Sequence, residues 1–231
     1  MKLALKAFAF GASVWLLRAF DFSFWANVIF FTIAFIVYQS QINKRFKVSF
    51  LLLWSGGYLV GGLFLWEWLF GASLVLLVLI AYWLFGLGDL VFKNRQLVYQ
   101  HAVTGLFFLA FLIFFSLNRW NLFPLKYFGI WISVFLLFFE SFKTLIGKFP
   151  RREQFMALVF SFLVLELIWT VLILPIGFIN SAALLTLFAF LIRDSVWGYF
   201  EGRLNKDFIL NRATFGVVFI LIIFAASRWI L

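Results

Sequence analysis

Residues 148–193 read KFPRREQFMALVFSFLVLELIWTVLILPIGFINSAALLTLFAFLIR, and the reading of this stretch decides the fold. No basic residue stands between Arg152 and Arg193, and the apolar run from Phe155 to Ile192 is far longer than the ~20 residues that one bilayer crossing needs. Pro175 and Gly177 divide it, because the proline ring removes a helix donor and the glycine permits a turn. Two antiparallel membrane helices are predicted, both ending in basic residues: Lys148, Arg151 and Arg152 on one side of the hairpin, Arg193 on the other. The positive-inside rule then assigns both basic ends to the cytoplasm and the Pro175 turn to the outer face.

The same alternation runs outward in both directions. Apolar stretches centred on Ala7–Leu17, Phe22–Tyr38, Ser49–Leu65, Leu69–Leu87, Ala102–Leu117, Tyr127–Phe139 and Thr214–Ser227 bring the expectation to about nine spans. With the N-terminus inside, fifteen of the nineteen Lys and Arg residues fall on the cytoplasmic side. Arg18, Arg119, Lys126 and Arg228 remain outside, where Trp66, Trp68, Trp120 and Trp229 form an interfacial aromatic belt. The predicted fold is an all-α polytopic transmembrane bundle, one integral membrane domain over residues 1–231, N-terminus cytoplasmic and C-terminus outside. Lys2 and Lys6 precede the first apolar run in the manner of a signal peptide, but Arg18, Phe20 and Asp21 stand where small residues would mark cleavage, so a retained span is expected.

Composition agrees. The chain is 66% hydrophobic and only 12% charged, against roughly 25% charged in soluble domains. Its net charge of +10 lies in short gaps beside apolar spans, which matches anionic lipid headgroups on the inner face and argues against nucleic acid as a partner. Absence of cysteine excludes disulfides, thiol catalysis and iron–sulfur ligation, and a single histidine excludes bis-histidine haem. No HExxH, GxGxxG or Walker loop occurs, so no metal or cofactor is expected.

Polar groups inside the spans are the functional candidates, since each must be satisfied in hydrocarbon. Glu166 lies eleven residues after Phe155, ~16 Å deep and close to the bilayer centre, with Thr170 one turn on. A proton or cation site and a carboxyl hydrogen-bonded between helices are the two readings. At the inner ends, Asp89, His101, Glu140 and Asp194 form an acidic group that could bind a cation or perform acid–base chemistry if the helices bring it together. Alternatively Glu140 pairs with Lys143, and Asp194 with Arg193 or Arg203. Gly57 and Gly61 make a small-xxx-small pair suited to close helix packing. Residues 193–212 place Trp197, Phe200, Leu204 and Phe208 at steps of three and four, predicting an amphipathic helix on the inner surface.

The C-terminal stretch from Arg193 and Asp194 through Leu204, Asn205, Lys206, Asp207, Asn211 and Arg212 to Arg228 and Trp229 covers about a sixth of the chain. It resembles the tail of small bacterial multi-pass proteins grouped as a domain of unknown function. The resemblance implies a bacterial inner-membrane protein and carries no activity. Three functions remain open: a small proton- or ion-linked carrier using Glu166 and the glycine-rich third span; a structural or assembly subunit holding a protein partner or forming an oligomer; and, third, a lipid-acting enzyme using His101 and the inner carboxylates.

Overall fold

The computed structural model describes residues 2–39, 46–63, 67–88, 92–117, 123–145 and 150–227. Among them the chain is all-helical: α1 (Lys2–Ala19), α2 (Phe24–Gln39), α3 (Lys47–Leu63), α4 (Glu67–Gly88), α5 (Arg95–Ser116), α6 (Phe123–Leu145), α7 (Pro150–Ile173), α8 (Phe178–Phe200) and α9 (Lys206–Ala226). Six of these helices are long and apolar enough to cross a membrane: Glu67–Leu87, Arg95–Ser116, Pro124–Thr144, Arg151–Ile173, Phe178–Phe200 and Lys206–Ala226. The chain is a multi-pass membrane protein, and among the described residues six helices, not the expected nine, are long and apolar enough to cross. The physical reason is length and charge. The 16 residues of α2 and 17 of α3 rise ~24 and ~26 Å, short of the ~30 Å hydrocarbon core. The 18 residues of α1 carry Lys2, Lys6 and Arg18.

Two compact units make up the chain, Met1–Leu109 and Ala110–Leu231. In the first, α1 is central and packs against α2, α3 and α4. Its buried face is Ala7, Phe10, Val14 and Leu17, at steps of three and four that line one side of a helix. Gly11 lies against Val78, and the Arg18 guanidinium stands 4.4 Å over the Phe70 ring, so α1 and α4 run antiparallel. Gly57 meets Phe10 and Val14 while Gly61 meets Val14 and Leu17, so α1 and α3 run parallel. Phe31 and Trp54 at 5.7 Å and Phe30 and Tyr58 at 5.9 Å join α2 to α3 antiparallel. Direction therefore alternates from α1 to α4, which places the Lys6 end of α1 with the Gly88 end of α4. The α1–α2 turn takes Asp21 and Phe22 into the left-handed region, at φ 44° and 56°. Asn27 holds it by donating from Nδ2 to the Phe22 carbonyl at 2.7 Å.

In the second unit α6 and α7 pack as an antiparallel aromatic pair. Tyr127 stacks on Trp169 at 5.2 Å, Trp131 meets Phe162 at 5.3 Å, and Phe142 meets Phe160 at 6.1 Å. The α7–α8 break spans Leu174 to Gly177, at the predicted Pro175 and Gly177. Helix α8 continues to Phe200, and α9 begins at Lys206. This corrects the amphipathic surface helix expected over residues 193–212. Gly202 adopts φ +68°, and the Arg203 and Gly202 amides donate to the Gly198 and Tyr199 carbonyls at 2.9 and 3.1 Å. That arrangement is a Schellman stop. Asn205 then caps α9, its Oδ1 accepting from the Phe208 amide at 2.8 Å.

Candidate functional site: charged and polar groups within the helices

Four charged side chains are buried among the described residues, all in the second unit and toward basic helix ends: Glu140 on α6, Glu153 on α7, and Arg193 and Asp194 on α8. Asp194 Oδ2 stands 2.6 Å from Arg212 Nε, joining α8 to α9. Arg212 also lies 5.2 Å from the Phe208 ring, and Arg193 5.6 Å from the Phe190 ring. Arg203, one of the two expected partners of Asp194, instead pairs with Glu201 at 3.1 Å on the exposed link. The hairpin explains the exchange: Asp194 and Arg212 are equally far in sequence from Arg203 at its apex, so antiparallel packing brings them level. Around them Gly198 admits the Phe208 ring, Leu191 meets Gly216, and Phe190 meets Phe215 at 6.0 Å. Only Gly216 and Ile223 of α9 are buried, so this seam with α8 and its ion pair hold α9 in place.

The other candidates of the expected acidic group are placed differently. His101 is exposed on α5 in the first unit, its ring 6.1 Å from Trp83. Glu140 and Asp194 lie on α6 and α8, which pack against one another. Asp89 lies outside the described residues. Among the described residues no three His, Asp or Glu side chains come together as a metal site would require. Lys143 is exposed, its ammonium 6.0 Å from the Phe139 ring.

Glu166 is set by the periodicity of α7. The buried residues Glu153, Ala157, Ser161, Val164, Ile168 and Val171 form one stripe at steps of three and four. Glu166 is two residues from both Val164 and Ile168, so at ~100° per residue it points away from that stripe. It is exposed, as are Phe162, Leu163, Trp169, Thr170 and Ile173 around it. Thr170 donates to the backbone carbonyl of Glu166 at 3.3 Å, a bond within the helix that does not serve the carboxyl. The Tyr127–Trp169 and Trp131–Phe162 contacts bracket its level on α6. The Trp131 indole N–H on α6 is buried without a hydrogen-bond acceptor.

The glycine pair sits against α1. A methyl added at Gly57 would stand 2.9 Å from the Phe10 ring and 3.2 Å from Val14. One added at Gly61 would stand 3.5 Å from the Val14 carbonyl oxygen. Side-chain loss at these positions lets two backbones approach closely. The chain matches no family model, no curated protein and no solved structure.

Proposed function

We propose that this chain is a multi-pass subunit that holds another membrane protein, with α7 as its outward contact helix. The observation that supports this reading is Glu166 on the uncovered face of α7. An ionisable group inside a span must be satisfied by a partner, and the packing of its own unit leaves this one outside. A carrier built on Glu166 would need that carboxyl inside the bundle, so the subunit reading takes precedence. A lipid-acting enzyme has less support, because within the described residues no three His, Asp or Glu side chains come together.

The membrane setting is part of the proposal. Within α4–α9 the gaps between crossings assign ten basic residues to one side, Lys93, Arg95, Lys143, Lys148, Arg151, Arg152, Arg193, Arg203, Lys206 and Arg212, against Arg119, Lys126 and Arg228 on the other. The first group is cytoplasmic and faces anionic lipid headgroups, and the C-terminus is outside. The bacterial inner membrane is the proposed location, on the resemblance of the C-terminal stretch.

Photo-crosslinking from exposed positions tests the subunit reading. A crosslinking residue at Leu163 or Ile173, on the Glu166 face of α7, should join this chain to a second polypeptide of fixed mass in native membranes. The same residue at Leu221 on α9 should give lipid adducts. Lipid adducts alone from all three positions would remove the subunit reading.

A further inference from the structure

Glu166 also states what kind of partner fits. On the exposed side of α7 the carboxyl has Phe162 one turn toward the inner end and Trp169 and Thr170 one turn toward the outer end, all exposed. A carboxylate flanked by aromatic rings is a site for a cation, since both the charge and the ring faces attract one. We infer that the occupant of this face is a transmembrane helix of a different protein carrying a Lys or Arg near the middle of its span. The inference rests on the subunit reading and names the chemistry of the partner.

A second copy of this chain does not supply that charge. Among the described residues, the Lys and Arg of the membrane-crossing helices lie at other depths: Arg95 on α5, Lys143 on α6, Arg151 and Arg152 on α7, Arg193 on α8 and Lys206 and Arg212 on α9 all lie toward the side opposite the Pro175 turn, whereas Glu166 is seven residues from the Ile173 end of α7 next to that turn. Lys126, the nearest in level, is more than a turn further out by the Tyr127–Trp169 contact, and its ammonium lies 4.2 Å over the Phe114 ring. Two copies related by rotation about the membrane normal keep every group at its own depth. They would set Glu166 against residues of its own level, with no cation among them.

Synthetic helices supply the test. The full chain, donor-labelled, is placed in phosphatidylcholine vesicles with an acceptor-labelled Leu/Ala transmembrane peptide carrying Lys, Gln or Leu at its central position, and association is read by energy transfer. The Lys peptide should associate on the order of tenfold more tightly than either the Gln or the Leu peptide, the scale of one interhelical polar pair. Glu166→Gln should abolish the preference, and Glu166→Lys should transfer it to a peptide with central Glu. Equal association of the Lys and Gln peptides, or a preference for Lys that survives Glu166→Gln, overturns the inference. Self-association of the donor-labelled chain that depends on Glu166 would overturn it in favour of a homo-oligomer. These outcomes are separate from the crosslinking test: a crosslinked partner with no Lys preference keeps the subunit and discards the cation.

Discussion

Asp194 and Arg212 show what a charge inside this protein requires. Asp194 is nearly closed off from solvent, whereas the Arg212 side chain is 38% exposed, so removing either partner has unequal consequences. Arg212→Leu leaves a buried carboxyl with only Arg193 as a cation acting on it, and Asp194→Asn leaves a guanidinium that can still reach the interface. In detergent the first should cost about 2 to 4 kcal/mol and the second about 1 to 2, somewhat below the range for fully buried pairs because Arg212 is partly solvated. The double variant Asp194→Asn with Arg212→Leu should be more stable than Arg212→Leu alone, since it no longer strands a charge. Thermal unfolding of the three proteins checks this, and additive losses would show that the two side chains are not coupled. The pair was not legible in the sequence because its partners are eighteen positions apart. The residues that position it were legible: Gly202 and Asn205 are stop and start signals for helices, and reading them as a hairpin would have set Asp194 opposite Arg212. The buried Glu153 and Arg193 carried no comparable signal, because burial at a helix end depends on which helices pack beside it.

At the scale of elements, the glycine positions of α3 separate packing from composition. Gly57 and Gly61 lie against α1, whereas a methyl at Gly71 on α4 would meet nothing within 4 Å. Replacing both Gly57 and Gly61 with Leu should destabilise the detergent-solubilised protein by about 1 to 3 kcal/mol or more through overpacking. Gly71→Ala should be neutral or stabilise by up to about 1 kcal/mol, because it adds helix propensity without a clash. If the double Leu variant melts with the parent, α3 is not held against α1 as described. Helix existence was legible almost throughout, since apolar length and alternating basic gaps are local signals, and the Pro175–Gly177 break fell where the residues put it. What failed was the inference from helix to crossing. Apolar character marks α1, α2 and α3 as membrane-compatible, but a crossing also needs about 20 residues, and their described lengths fall below that. The outward placement of Glu166 was also hidden: depth follows from counting along α7, whereas the face it occupies is fixed by which of its neighbours are buried.

For the whole molecule, the central claim is a membrane bundle whose basic inter-helix segments share one side. The crossing helices bear on it, since α4–α9 carry basic residues in every second gap. The chain contains no cysteine, so single cysteines report position without background. Gly177, at the α7–α8 turn where an added side chain meets nothing within 4 Å, and Asn121 between α5 and α6 should react with an impermeant thiol reagent applied to intact cells. Gly147 between α6 and α7 and Leu204 in the α8–α9 link should react only after the membrane is opened. Protection at Gly147 and Leu204 together with labelling at Gly177 and Asn121 is the predicted result. Labelling of Gly147 from outside in correctly inserted protein, or equal labelling at all four positions, would contradict it.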